Sequence, residues 1–140
     1  MDAGAFIADP AWTPHRYDAA QDTLAFARLP RETQRALPFL DPRYVKPELV
    51  SAPIPVSALQ TFADALSTPP LHFIFHTAFC GSTLLTRALD APGVSMGLKE
   101  PSVLVDIAAA WRREGATPKL DAVLATTLRL LARPFAPGEI

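Results

Sequence analysis

Residues 71–89 constrain the fold more than any other stretch, because they place an apolar run, a glycine turn and an apolar helix in immediate succession. Leu71-His72-Phe73-Ile74-Phe75-His76 is short, aromatic and β-branched, and nearly every position is apolar. Such a run predicts a strand covered on both faces, as in a parallel sheet. Thr77-Ala78-Phe79-Cys80-Gly81 is read as the turn. Ser82-Thr83-Leu84-Leu85-Thr86-Arg87-Ala88-Leu89 predicts a helix whose Leu84, Leu85, Ala88 and Leu89 pack back onto the sheet. Pro92-Gly93 ends that helix, and Val94-Ser95-Met96-Gly97-Leu98 predicts a second strand.

Two helices follow. Ser102 is expected to cap the first, over 103–113, with Leu104, Ile107, Ala108 and Trp111 on a core-facing stripe. Thr117-Pro118 opens the second in the pattern of a capping residue followed by a first-turn proline, and Arg133-Pro134 closes it. Strands alternating with helices predict an α/β domain, a three-layer α/β/α arrangement around a parallel sheet. The pattern stops at Ile140, one apolar residue into the next expected strand, so 71–140 reads as the first part of that domain within a longer protein.

Residues 1–70 read differently. Many of the 15 prolines fall between positions 10 and 70, where they punctuate loops. Residues 1–20 are expected to be an irregular arm, 23–29 a short edge strand and 31–37 a helix stopped by Pro38. Ser57 should cap a helix that carries Leu59, Phe62, Ala63 and Leu66 on one face. Thr68-Pro69-Pro70 marks the boundary between this stretch and the α/β part.

The chemistry concentrates in the turn. A helix that starts directly after a glycine turn presents unbonded N–H groups and the positive end of its dipole, which together favour an anion. Gly81 lets the backbone curl, and the hydroxyls of Ser82 and Thr83 can cap the helix and donate to phosphate oxygens. The full Walker pattern of Gly-x4-Gly-Lys-Ser/Thr is not met, because His76 and Ser82 stand at its first glycine and its lysine.

Cys80-Gly81-Ser82-Thr83-Leu84-Leu85, after an apolar strand, and Leu98-Lys99-Glu100-Pro101, after the second, resemble the P-loop family of 3′-phosphoadenosine 5′-phosphosulfate-dependent sulfotransferases. The resemblance covers roughly 71–101. It implies a P-loop fold in which Phe79, Cys80, Gly81, Ser82 and Thr83 cradle the 5′-phosphosulfate of that donor, with sulfonate passing to a hydroxyl or amine acceptor. Phe79 departs from the family, which has a basic residue beside the turn; a single such electrostatic donor is typically worth ~2.7–4 kcal/mol in transfer. The family's Arg and Ser pair for the 3′-phosphate has no counterpart. His76, Lys99 and Glu100, at the carboxyl ends of the two expected strands where open α/β sheets bind ligands, are the candidate catalytic groups. Lys99 would approach the sulfonate; His76 or Glu100 would take the acceptor's proton.

Rival readings are a P-loop nucleotide kinase or NTPase, which would require Mg²⁺, and a non-catalytic chain that keeps the fold. Cys80 as a nucleophile lacks an obvious partner base other than His76. His72 and His76 share a strand face but have no third ligand, so no metal is expected. A net charge of −1 gives no field that attracts nucleic acid or an anionic membrane. One cysteine, no signal-like leader and no long apolar run predict a soluble, cytoplasmic protein. The expected acceptor is a small molecule, carbohydrate or peptide, and an unfinished sheet edge predicts self-association.

Overall fold

The computed structural model describes residues 3–77 and 79–140; the expectations that touch Met1, Asp2 and Ala78 lie outside them. Leu24 and Phe26 alternate inward and are fully buried, which makes Thr23–Arg28 (β2) a strand with one core face. It pairs antiparallel with Trp12–Asp18 (β1) on one side and with the two-residue Ile54–Pro55 (β3) on the other, in the order β1-β2-β3. The β1–β2 register slips between Pro14 and Arg16, so His15 is the extra residue of a bulge and points into the protein at 4% exposure.

Helices cover this sheet. Ala3–Ala8 (α1) inserts Phe6 and Ile7, and Val56–Asp64 (α3) inserts Val56, Leu59 and Ala63. Ser102–Glu114 (α5) adds Val103, Ile107 and Ala110, and Pro118–Leu131 (α6) adds Leu120, Val123 and Leu130. All belong to one apolar cluster with Tyr17, Leu24 and Phe26, so the core draws on both the proline-rich and the helical stretches of the chain. Arg31–Ala36 (α2) and a 3-10 turn at Pro47–Leu49 border a second, smaller cluster of Ala27, Leu29, Leu40 and Val45. Ser82–Leu89 (α4) has no buried residue.

The fold is therefore mixed α/β, as expected in outline, but its sheet is antiparallel and lies in the first 55 residues. Residues 3–20 are not an irregular arm: they hold α1 and β1. The strand at 23–28 is central rather than at an edge, because β3 covers its second side. Residues 71–76 form no strand. Both sides of β2 are taken, and among the described residues 67–77 make no backbone–backbone hydrogen bond, so nothing offers that run a ladder. Residues 94–98 are likewise not a strand. Among the described residues their β-type contacts are an isolated bridge between Ala91 and Ser95 and two bonds to Ile140.

Helix starts differ in detail. Pro55 and Pro101, not Ser57 and Ser102, precede α3 and α5. Ser102 turns inward instead and donates to the His15 carbonyl at 2.8 Å. Thr117 caps α6 as expected, its Oγ1 accepting from the Leu120 N–H at 3.2 Å. Trp111 stands on the exposed side of α5, and Phe62 on that of α3.

Candidate functional site

The turn and helix of the phosphate-loop expectation form. Gly81 precedes α4 with φ of +80°, a conformation that costs other residues. A Cβ there would meet nothing within 4 Å, so the demand on Gly81 is conformational rather than steric. Phe79 also has positive φ, 60°, which is unusual for a bulky side chain, and its ring lies wholly in solvent. Cys80 is exposed as well. Because the helix is preceded by glycine, its first-turn amides receive no side-chain cap. Ser82 and Thr83 do not occupy the capping position, and their half-buried side chains face a cavity.

That cavity, of about 470 Å³, lies between 70–76, α4, 95–101 and the ends of α5 and α6. His76, Ser82, Thr83, Lys99 and Glu100 all line it, with His72; Phe79, Cys80 and Gly81 do not. Its far wall is apolar, built from Leu104 of α5 and Leu128 and Leu131 of α6.

Lys99 is 4% exposed and its Nζ donates to the Arg35 carbonyl at 2.7 Å. Burial, reinforced by the nearby positive charge of Arg87, lowers its pKa. The Lys99 carbonyl accepts from the Leu40 N–H at 2.8 Å, and the Leu40 carbonyl from the Ser102 N–H at 3.1 Å, which stitches this stretch to the loop after α2. Glu100 has φ of 48°, one of three positive-φ non-glycine residues among those described, with Phe79 and, away from the cavity, Asp22. The Glu100 carboxylate lies 3.8 Å from His76 Nε2.

Sequence reasoning missed two clusters of buried charge. Arg31 meets Asp90 at 2.9 Å and Glu139 at 2.8 Å, joining α2, the end of α4 and the residues after α6. Burial opposes the Arg31 charge, and the bonds to Glu139 and Asp90 outweigh it, so its pKa is raised. Arg133 is buried among backbone carbonyls, and burial lowers its pKa to about 10. A basic residue at a helix end before proline was the only local hint for Arg133; Asp90 and Glu139 gave none.

Among the described residues, no group of three His, Cys, Asp or Glu side chains could hold a metal ion, and no helix is long and apolar enough to cross a membrane. No family model, curated protein or solved structure matches this chain.

Proposed function

We propose that the chain is a sulfotransferase-like transferase of the P-loop class, whose 79–83 loop binds 3′-phosphoadenosine 5′-phosphosulfate. The observation that carries this reading is the convergence of Ser82, Thr83, His76, Lys99 and Glu100 on one cavity, from three separate stretches of chain. The uncapped first-turn amides of α4 and the hydroxyls of Ser82 and Thr83 suit a phosphosulfate anion. Lys99, the basic group that lines the cavity beside them, takes the place of the missing basic residue at Phe79 and balances charge on the sulfonate.

Glu100, or His76 beside it, accepts the proton of a hydroxyl or amine acceptor. The bound donor supplies the sulfonate: a new bond forms from the acceptor oxygen or nitrogen to sulfur, the bond from sulfur to the bridging oxygen breaks, and adenosine 3′,5′-bisphosphate leaves with that electron pair. No metal is required. A small molecule, carbohydrate or peptide could present the acceptor group, and a cytoplasmic setting suits the single exposed cysteine.

This reading also expects parallel pairing along 94–96, although 71–76 have no partner among the described residues and form no strand. Ile140 supports it: its N–H donates to the Val94 carbonyl at 2.9 Å, and its carbonyl accepts from the Met96 N–H at 2.8 Å. One residue bonding to both neighbours of Ser95 is the parallel pattern, since an antiparallel pair exchanges both bonds with a single residue.

Calorimetric titration of the full chain with adenosine 3′,5′-bisphosphate, and with ATP–Mg²⁺ in parallel, tests the proposal. Binding of the bisphosphate alone is expected, weakened at least about tenfold by Ser82→Ala with Thr83→Ala and abolished by Gly81→Val, whose branched side chain does not tolerate φ of +80°. Preference for ATP–Mg²⁺ would replace this reading with a nucleotide kinase, and no binding of either would overturn both. Bisphosphate binding without sulfonate transfer would make Phe79 the mark of a non-catalytic binder.

A further inference from the structure

The apolar surface of this molecule is concentrated on the segment around the loop. Phe73, Ile74 and Phe75 of the unpaired run, Phe79 of the turn, and Leu84, Leu85 and Leu89 of α4 are all exposed, Phe75 at 93% and Phe79 at 107%. Monomeric proteins rarely leave so many large apolar side chains together in water. The Phe73 and Phe75 rings stack with centroids 6.2 Å apart, so both stand on one side of the run. Leu85 and Leu89 share one side of α4 by helical spacing.

The backbone of this run is unpaired as well. Residues 67–77 make no backbone–backbone hydrogen bond among the described residues. A covering group must therefore bring both apolar surface and a row of backbone donors and acceptors, which is the description of another strand.

We propose that residues 71–76 pair antiparallel with the same residues of a second copy of this chain, around a two-fold axis. The run is suited to pairing with itself. It carries no acidic or basic side chain other than its two histidines, so like charges do not oppose the match at neutral pH. With Ile74 opposite Ile74 of the second copy, Phe73 of each copy faces Phe75 of the other on one sheet face. That gives two symmetric aromatic cross-strand pairs. The pairing covers the ring faces of Phe73 and Phe75, which are 55% and 93% exposed. The pairing uses one edge of the run, whose His72, Phe73, Ile74 and His76 also line the cavity, so it rests on a wall of the site proposed above.

Sedimentation velocity of the full chain over about a hundredfold range of concentration, with amide hydrogen exchange at the dimer plateau, tests this. A concentration-dependent dimer in which every second amide of 72–76 is protected is expected. Phe75→Glu should raise the dissociation constant at least about tenfold and remove that protection while leaving the helical far-UV circular dichroism in place, because the Phe75 side chain is almost wholly exposed. Tyr44→Glu, at an exposed aromatic outside this region, should leave the dimer intact. A monomer throughout, a series of polymers without a dimer endpoint, or a dimer that survives Phe75→Glu with unprotected amides at 72–76 would each overturn the proposal.

Discussion

Gly97 lies so close to Thr86 that a Cβ on it would come within 2.5 Å of Thr86 Cγ2 and 2.7 Å of the Thr86 carbonyl oxygen. This approach seats α4 against the stretch that leads to Lys99. Thr86 is held there by its own back-bond, Oγ1 donating to the Ser82 carbonyl at 2.9 Å. The clash is with backbone as well as side chain, so α4 must shift to admit a methyl group. Gly97→Ala is expected to cost about 1–3 kcal/mol by overpacking, measured by urea denaturation. Thr86→Ser in the same chain should recover only part of that loss, since the carbonyl contact remains.

Arg133 ties the end of α6 to the end of α1. Its guanidinium donates to the carbonyls of Phe6 at 2.6 Å, Ile7 at 2.9 Å and Asp9 at 3.1 Å, to Leu130 at 2.8 Å, and to Trp12. The Phe6 and Ile7 carbonyls belong to the last turn of a six-residue helix that has no basic residue of its own there, so Arg133 serves as its C-terminal cap and favourable dipole charge. Arg133→Met removes all these donors and strands buried carbonyls, at an expected cost of about 3 kcal/mol or more. Arg133→Lys keeps the charge but offers a single point in place of a planar fork, and should fall between the two in thermal unfolding.

The parts of this fold that were legible in the sequence are those set by local chemistry. Thr117-Pro118 gave the start of α6, Gly81 gave the turn into α4, and the run 23–29 gave a strand where β2 forms. What was not legible depended on partners far along the chain. Residues 71–76 have the composition of a buried strand, yet a strand also needs a neighbour, and composition cannot say whether one is present. Residues 12–18 hold Pro14, His15 and Arg16, which weakened any strand signal; the bulge at His15 and the packing of α5 and α6 override it. At the candidate site, the grouping of His76, Lys99 and Glu100 with Ser82 and Thr83 followed from expecting two strand ends side by side. The grouping occurs, although the strands do not form.

Glu139 is 1% exposed and bonds both Arg31, through Oε1 at 2.8 Å, and the Phe135 N–H, through Oε2 at 3.1 Å. With Asp90 on the other side of Arg31, it closes a buried network that pins residues 135–140 against α2. Two carboxylates share one guanidinium, so removal of Arg31 leaves both Asp90 and Glu139 buried without it, whereas removal of Glu139 leaves Arg31 paired with Asp90 at 2.9 Å. Arg31→Met is therefore the costlier change, expected at about 3–5 kcal/mol, and Glu139→Leu the milder one. The double variant should cost less than the sum, because Glu139 is no longer left without its arginine, although Asp90 then keeps Arg35 alone at 3.8 Å. Chemical denaturation of the four proteins measures the coupling.

His15 makes stability depend on pH near neutrality. Burial in the β1 bulge lowers its pKa from 6.5, and the adjacent Arg16 adds to the effect, while Asp106 and Asp41 oppose it without reversing it. The folded protein therefore holds a neutral imidazole over a range in which the unfolded chain has begun to bind a proton. In that range the unfolded state binds more protons, so stability rises with pH. The contribution is fully present above pH 6.5 and is lost as pH falls through the lower folded value. Asp106 cannot rescue the protonated ring cheaply, because it is already engaged by Arg16 at 2.7 Å and by the Tyr17 N–H at 3.0 Å. The melting temperature is expected to drop between pH 7 and pH 5. His15→Leu should flatten that part of the profile while leaving the steeper loss at lower pH, where Asp41, its pKa lowered by its bonds to Arg43, becomes protonated. A profile for His15→Leu that parallels the wild type from pH 7 to 5 would remove His15 as the source.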